Sequence, residues 1–301
     1  MIAWVQADSG DEAFGPPPAG VDVRPWPADP ASAPDREDVE FAVPGGDSRL
    51  ALEAMPGLRV VQVRSAGVDW IAGRVPPGVT LCSARGARDA AMAEWVAAAI
   101  LADAKQLRTC AGQQARRAWA HVTMGDVAGL EVLVLGHGSI GRASARLLEP
   151  FGVRVRGLAR HARPAEGVAA LGELDALLPG ADVVVNLLPL TDATRGLVGA
   201  RALARLRDGS LYVSAGRGAT TDTGALLAEL RSGRLRAVLD VVDPEPLPPE
   251  HPLWDAPNLI LTPHSAGDTP GADRAAWALA GEQLHRYARG EALLNVVGEG
   301  Y

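Results

Sequence analysis

Short apolar runs alternate with segments of helical spacing throughout the second half of the chain. Residues 131–135 are predicted to form a buried strand, and a helix is predicted to follow it to about residue 148. The same alternation of strand and helix continues in the segments 153–158, 171–178, 183–187, 200–206, 210–214, 223–232, 236–241 and 259–262. Apolar strands joined by helices predict a parallel, doubly wound sheet with helices on its faces.

The first half of the chain is less regular. Residues 1–6 are predicted to form a short strand, and the Pro-rich and Gly-rich stretch to about residue 38 is predicted to be mostly loop. A β-branched run at 58–63 ends in the motif SAGVD, where a glycine allows close approach of backbone N–H groups. Long helices are predicted at 89–107, leading into a second domain, and at 270–289, returning to the first.

Composition and charge narrow the class of protein. The chain has 301 residues, 48% hydrophobic and 22% charged, which is typical of a soluble globular protein of two domains. A net charge of −7 disfavours nucleic acid and anionic membranes as partners. Cys82 and Cys110 form no CxxC motif, so we expect neither a metal site nor a disulfide framework. Without a leader or a long apolar run, a cytoplasmic protein is expected.

The motif GHGSIG joins the predicted strand at 131–135 to an alanine-rich helix. In this position Gly136 permits a tight turn, Gly138 lets the backbone approach a pyrophosphate, and Gly141 allows close helix packing. With Ser139 and Ile140, these residues are predicted to bind a dinucleotide at the helix N-terminus. His137 lies within the loop and is interpreted as incidental rather than catalytic.

The end of the next predicted strand indicates which dinucleotide is bound. An acidic residue there usually holds the ribose 2′-hydroxyl of NAD, but this chain has Arg160, His161 and Arg163 instead. Cationic and hydrogen-bonding groups suit a 2′-phosphate, so NADP is predicted, with NAD remaining possible. The alternative is that these side chains form a solvated loop.

Three chemically suited side chains follow three predicted strands. Arg217 lies in SAGRG, Glu245 in DPEP and His264 in TPHSAG. A guanidinium can bind a planar carboxylate, and an imidazole can act as a general acid near neutral pH. A carboxylate beside the imidazole would orient its ring and favour its charged form. Together these residues predict a site that binds a 2-keto acid and protonates its carbonyl oxygen.

The motifs GHGSIG, LLPLTDATRGLV, SAGRG, LDVVDPEPLPPEHPLW and TPHSAG together make the chain resemble the D-isomer-specific 2-hydroxyacid dehydrogenase family. Within that family it is similar to the glyoxylate and hydroxypyruvate reductases that use NADPH. The resemblance covers residues 57–295 and is poor before them. It implies an α/β fold with a Rossmann-type doubly wound parallel sheet and a smaller, discontinuous, flavodoxin-like substrate domain. The implied boundaries are 1–94 with 270–301 for the substrate domain and 95–269 for the dinucleotide domain.

The resemblance also implies roles for individual residues. Arg217 would bind the carboxylate and carbonyl of the substrate, His264 would be the acid/base, and Glu245 would pair with His264. Backbone groups of Ala66, Gly67 and Val68 would hold the substrate carboxylate. The remaining residues implied to line the cofactor are Leu188, Pro189, Thr194, Ala215, Gly216, Asp240 and Gly267. A cleft between the domains and a homodimer are implied as well.

These expectations predict an oxidoreductase that transfers a hydride between NADP(H) and a small anionic 2-keto acid or D-2-hydroxy acid, acting as a keto acid reductase. Two alternatives stay open. Arg64, Arg85 and Arg88 flank the SAGVD turn, so the substrate could be a phosphorus-containing acid. The chain could also be a non-catalytic, cofactor-sensing protein that resembles the family's transcriptional corepressors.

Overall fold

The computed structural model describes residues 1–6, 11–45 and 51–298. The chain divides into two compact units, with boundaries between Arg88 and Asp89 and between Gly267 and Asp268. The first unit therefore contains both the beginning of the chain and its last helix. The second unit is one continuous segment.

The first unit is built on a sheet of five parallel strands. Its strands are β1 (Ile2–Val5), β2 (Asp22–Pro25), β3 (Val39–Val43), β4 (Val60–Gln62) and β5 (Thr80–Cys82). They are arranged in the order β2-β1-β3-β4-β5, which is the order of flavodoxin-like folds. This topology confirms the flavodoxin-like expectation.

Side chains of these strands enter two hydrophobic clusters on opposite faces of the sheet. On one face the helices α1 (Asp11–Phe14) and α8 (Pro270–Ala288) pack together, and the rings of Phe14 and Trp277 meet edge to face with centroids 6.0 Å apart. On the other face Val68 and Ile71 are fully buried. The turn predicted to bind the substrate is thus anchored in a packed core.

The second unit is built on a sheet of seven parallel strands. Its strands are β6 (Glu131–Leu135), β7 (Arg154–Ala159), β8 (Val168–Ala170), β9 (Val183–Asn186), β10 (Leu211–Ser214), β11 (Arg236–Leu239) and β12 (Leu259–Leu261). The order β12-β11-β10-β9-β6-β7-β8 is that of a Rossmann fold extended by one strand. The predicted doubly wound parallel sheet is confirmed.

Helices cover both faces of this second sheet. They are α2 (Asp89–Ala104), α3 (Leu107–Ala115), α4 (Ser139–Leu148), α5 (Leu174–Leu177), α6 (Ala200–Leu203) and α7 (Thr223–Arg231). Side chains of α2 and α4 pack in the cluster on one face, whereas those of α5, α6 and α7 pack in the cluster on the other. Within the described ranges, no helix is both long and apolar enough to span a membrane.

The predicted end of the helix at 89–107 is wrong. It stops at Ala104, and α3 begins at Leu107 after Gln106 adopts a left-handed backbone with φ of 50°. Lys105 donates from Nζ to the carbonyl oxygen of Gly125 at 2.8 Å. This contact with a distant part of the chain accompanies a break that helix propensity does not signal.

Candidate active site

Parallel pairing brings three of the predicted residues to one edge of the second sheet. The strands β10, β11 and β12 are neighbours, and all run in the same direction. Arg217 follows β10, Glu245 lies in the loop after β11, and His264 follows β12. Because ligands of α/β sheets bind outside the carboxyl ends of the strands, this edge is the candidate active site.

His264 and Glu245 are hydrogen-bonded to each other. The bond joins Nδ1 of His264 to Oε1 of Glu245. An ionised carboxylate can only accept, so Nδ1 carries the proton that it donates, and Nε2 remains for proton transfer. The side chains are 48% and 37% exposed, respectively, so both are reachable by a solute. The predicted pair is therefore formed.

Asp240 holds the turn that carries His264. Its buried carboxylate accepts hydrogen bonds from the backbone N–H groups of Ser265 at 2.9 Å and Ala266 at 3.0 Å, and from the hydroxyl of Thr262. The N–H of His264 donates to the carbonyl oxygen of Asp240 at 2.8 Å. These bonds hold His264 in a left-handed backbone with φ of 53°. Both carboxylate oxygens of Asp240 thus serve the turn, and its contact with a cofactor stays a prediction.

The half-buried Arg217 projects from a tightly packed loop. Its Nη1 donates to the carbonyl oxygen of Gly216 at 2.9 Å. A Cβ atom on Gly218 would overlap the carbonyl oxygen of Val242, so only glycine fits this close approach of two backbones. The guanidinium is therefore carried by a backbone that neighbouring loops constrain.

A buried polar network that no sequence motif predicts supports the backbone of Arg217. The amide of Asn186, at the end of β9, donates to the hydroxyls of Tyr212 and Thr220, both at 2.8 Å. Its oxygen accepts from the N–H of Leu188 at 3.1 Å, and Thr220 donates from Oγ1 to the carbonyl oxygen of Arg217 at 2.6 Å. The sequence feature that indicates such a network is the amide of Asn186 at the end of the apolar strand VVVN, because a buried amide is usually hydrogen-bonded.

The loop between β6 and α4 has the form of a dinucleotide-binding turn. Gly136 has φ of 90°, and a Cβ there would lie 2.8 Å from the carbonyl oxygen of Leu187. Gly138 is the N-cap of α4 and has no side chain to cap the first turn, in which Ser139 and Ile140 lie. A pyrophosphate is a suitable acceptor for N–H groups at such a terminus, and the loop therefore fits the predicted cofactor.

The three residues predicted to hold the 2′-phosphate follow β7 and differ in exposure and pairing. Arg160 and His161 are exposed. Arg163 donates to the carbonyl oxygen of His137 at 2.6 Å and pairs with Glu166 at 3.1 Å. The carboxylate of Glu166, a residue that no sequence motif singles out, partly compensates the charge of Arg163.

His137 is a packing residue. Its side chain is buried and lies against Gly157 of β7. Burial lowers the pKa of the His137 imidazole, and the positive charges of Arg163 and Arg142 lower it further. Its Nδ1 atom has no hydrogen-bond partner among the described residues. These surroundings suit a neutral ring that fills space.

The other predicted cofactor residues are mostly buried. Gly141 lies in the first turn of α4, and Thr194 donates from its hydroxyl to the carbonyl oxygen of Pro189 at 2.6 Å. The side chains of Leu188 and Ala215 pack in hydrophobic clusters. Gly267 is half-buried. The turn of Ala66, Gly67 and Val68 lies in the first unit and follows β4.

Comparisons with known proteins support the interpretation of the second unit as a dinucleotide-binding domain. Residues 97–266 match the family model described as "D-isomer specific 2-hydroxyacid dehydrogenase, NAD binding domain". A glyoxylate reductase of Aeropyrum pernix is 34% identical over 264 residues, which cover 82% of this chain and 78% of that protein.

Solved structures extend the similarity to the whole chain. A D-isomer specific 2-hydroxyacid dehydrogenase from Xanthobacter autotrophicus, in complex with NADPH and MES, has a TM-score of 0.88 and 34% identity over 100% of this chain and 99% of that one. An NADPH-dependent glyoxylate/hydroxypyruvate reductase from Sinorhizobium meliloti, in complex with NADP and sulfate, has a TM-score of 0.87 and 31% identity over the same shares.

The chain belongs to the D-isomer specific 2-hydroxyacid dehydrogenase family. Its class is therefore that of the NAD(P)-dependent oxidoreductases that act on 2-hydroxy acids. The resemblance, the fold class and the enzyme class predicted from the motifs are confirmed.

Proposed function

We propose that this protein reduces a small 2-keto acid to the D-2-hydroxy acid with NADPH. The hydrogen-bonded pair of His264 and Glu245, at the same sheet edge as Arg217, carries the proposal. A proton donor and a guanidinium are the two groups that carbonyl reduction of an anionic substrate needs from the protein.

In this reaction His264 is the general acid. Glu245 accepts the Nδ1 proton and stabilises the imidazolium, so Nε2 can donate its proton to the carbonyl oxygen of the substrate. In the reverse direction the neutral imidazole removes the proton from the hydroxyl group. Asp240 maintains the turn from which His264 acts.

Arg217 orients the substrate and stabilises the negative charge that develops on its oxygen. The planar guanidinium suits a carboxylate and an adjacent carbonyl group. Backbone N–H groups in the turn of Ala66, Gly67 and Val68 hold the substrate carboxylate. Under this proposal the second unit binds the dinucleotide.

The dinucleotide is NADPH, which supplies the hydride when it is bound. The uncapped N-terminus of α4 binds the pyrophosphate, and Arg160, with His161 and Arg163, binds the 2′-phosphate. The relatives crystallised with NADPH or NADP support this choice. Glu166 pairs with Arg163 and partly compensates its charge.

A carbon substrate is favoured over a phosphorus-containing acid. Arg64 pairs with Asp273 at 3.3 Å and lies over the Trp277 ring, and Arg88 pairs with Asp268 at 2.7 Å. These ion pairs partly compensate the charges that would attract a second anionic group. The presence of Arg217 together with the hydrogen-bonded pair of His264 and Glu245 favours catalysis over a corepressor-like role.

We also propose a cytoplasmic homodimer. Exposed apolar side chains in and after α3, those of Leu107, Trp119 and Met124, support association with a second copy. The molar mass in solution, measured by light scattering, tests this state. A mass equal to that of one chain would rule out the dimer.

Parallel oxidation of NADPH and NADH over a panel of 2-keto acids tests the proposed function. The panel contains glyoxylate, hydroxypyruvate and pyruvate, and phosphonates are tested beside them. We expect turnover with at least one keto acid and a preference for NADPH. Failure of every keto acid, or turnover of a phosphonate alone, would refute the proposal.

A further inference from the structure

Two side chains enclose the turn of Ala66, Gly67 and Val68. The indole of Trp70 donates from Nε1 to the hydroxyl oxygen of Ser65 at 3.1 Å, and that hydroxyl donates to the carbonyl oxygen of Gly67 at 2.6 Å. The same hydroxyl thus accepts one bond and donates another, which determines where its proton points.

Both ends of the turn are anchored independently of these side chains. The carbonyl oxygen of Ser65 accepts from the N–H of Ala84 at 2.8 Å. The side chain of Val68 is fully buried, and its carbonyl oxygen accepts from the N–H groups of Ile71 at 3.0 Å and Ala72 at 2.8 Å. The Ser65 hydroxyl therefore acts on the peptide group between these two anchors.

The orientation of that peptide group decides what the turn offers to an anion. In a trans peptide the C=O and N–H groups point in opposite directions. Because Ser65 holds the carbonyl oxygen of Gly67, the N–H of Val68 points away from Ser65. Gly67 has no side chain to restrict rotation, so loss of this bond would let the peptide turn its oxygen towards an approaching carboxylate.

We propose that Ser65 and Trp70 are positioning residues that orient the carboxylate-binding turn. This inference rests on the proposed function, in which that turn binds a 2-keto acid. Ser65 acts directly on the Gly67 carbonyl group, and Trp70 acts through Ser65. Substitution of Ser65 is therefore expected to raise the KM for the keto acid more than substitution of Trp70.

Steady-state kinetics with glyoxylate and NADPH test this proposal. The change Ser65→Ala is expected to raise the KM for glyoxylate by about tenfold, since one hydrogen bond is lost, with a smaller rise for Trp70→Phe. The inhibition constant of oxamate should rise in parallel, whereas kcat and the affinity for NADPH should stay close to wild type. Ser65→Thr retains the hydroxyl and should retain the wild-type KM.

Trp26→Phe is the matched control, because the indole nitrogen of Trp26 has no hydrogen-bond partner in the described part of the chain. Trp26→Phe should leave the KM for glyoxylate unchanged.

If the wild type reduces glyoxylate but Ser65→Ala and Trp70→Phe have the wild-type KM, the positioning role is refuted and the proposed function stands. Equal losses in Ser65→Ala and Ser65→Thr would also refute it. If Ser65→Ala does not fold, Trp70→Phe decides. A wild type inactive on every keto acid would refute the proposed function itself.

Discussion

The carboxylate of Glu245 accepts a hydrogen bond from Nδ1 of His264, and this bond assigns the two imidazole nitrogens to different tasks. Nδ1 binds the carboxylate, and under the proposed function Nε2 transfers the reacting proton. Proline residues on both sides of Glu245 restrict the backbone that presents the carboxylate.

Glu245→Gln should therefore impair catalysis without abolishing folding. Glutamine can still accept from Nδ1, but it lacks the charge that stabilises the imidazolium, so kcat for keto acid reduction should fall by about tenfold. Glu250→Gln, in the same Pro-rich loop, is the control and should be as active as the wild type. Equal kcat values for the two variants would contradict the role of Glu245.

Removal of the Asp240 carboxylate should affect both stability and activity. Asp240→Ala leaves the N–H groups of Ser265 and Ala266 without their acceptor, so the free energy of unfolding should fall by about 2 kcal/mol or more. Because the turn of His264 is then less constrained, kcat should fall too. Denaturant unfolding and kinetics measure the two effects, and the exposed Asp255→Ala serves as control. A variant with wild-type stability would show that Asp240 does not hold this turn.

Arg160→Ser should weaken NADPH binding selectively. Loss of a charge-assisted contact with the 2′-phosphate should raise the dissociation constant of NADPH by about tenfold, while that of NADH changes little. Fluorescence titration of both dinucleotides measures this selectivity. Arg146→Ser, which removes an exposed arginine from α4, should bind both as the wild type does. A parallel loss for both dinucleotides in Arg160→Ser would show that Arg160 does not recognise the 2′-phosphate.

The two cysteines should differ in reactivity. Burial raises the pKa of the Cys82 thiol to about 11, whereas Cys110 is partly exposed. Since the thiolate is the reactive form, a disulfide reagent should modify only Cys110 in the native protein at pH 8, and both cysteines after unfolding. Cys110→Ser should abolish the native reaction. Rapid modification of both thiols without denaturant would contradict the burial of Cys82.

The fold and the juxtaposition of His264 and Glu245 were predictable because breaks in apolar runs mark the strand ends. Arg217, Glu245 and His264 each follow such a break, and parallel topology places those breaks at one edge. The supporting contacts were not predictable in the same way. Asn186 meets Tyr212 and Thr220 only after the strands pair, so spacing along the chain carries no sign of their hydrogen bonds.

Helix propensity also gave a wrong prediction at a position where contacts with distant parts of the chain determine the backbone. Gln106 is a good helix former, yet it adopts a left-handed backbone between α2 and α3. Glu166 lies beyond the end of β7, which is where NAD-binding folds usually have their acidic residue. The turn after β7 brings its side chain to Arg163. Side-chain pairing across turns was therefore the main information that the sequence pattern lacked.

The most direct test of the account is turnover by His264→Gln at saturating glyoxylate and NADPH, with NADPH binding measured in the same preparation. General acid catalysis by a positioned side chain is worth about 100-fold or more, so kcat should fall by at least that factor. The dissociation constant of NADPH should remain that of the wild type. A His264→Gln variant that reduces glyoxylate as fast as the wild type would contradict the assignment of His264 as the proton donor.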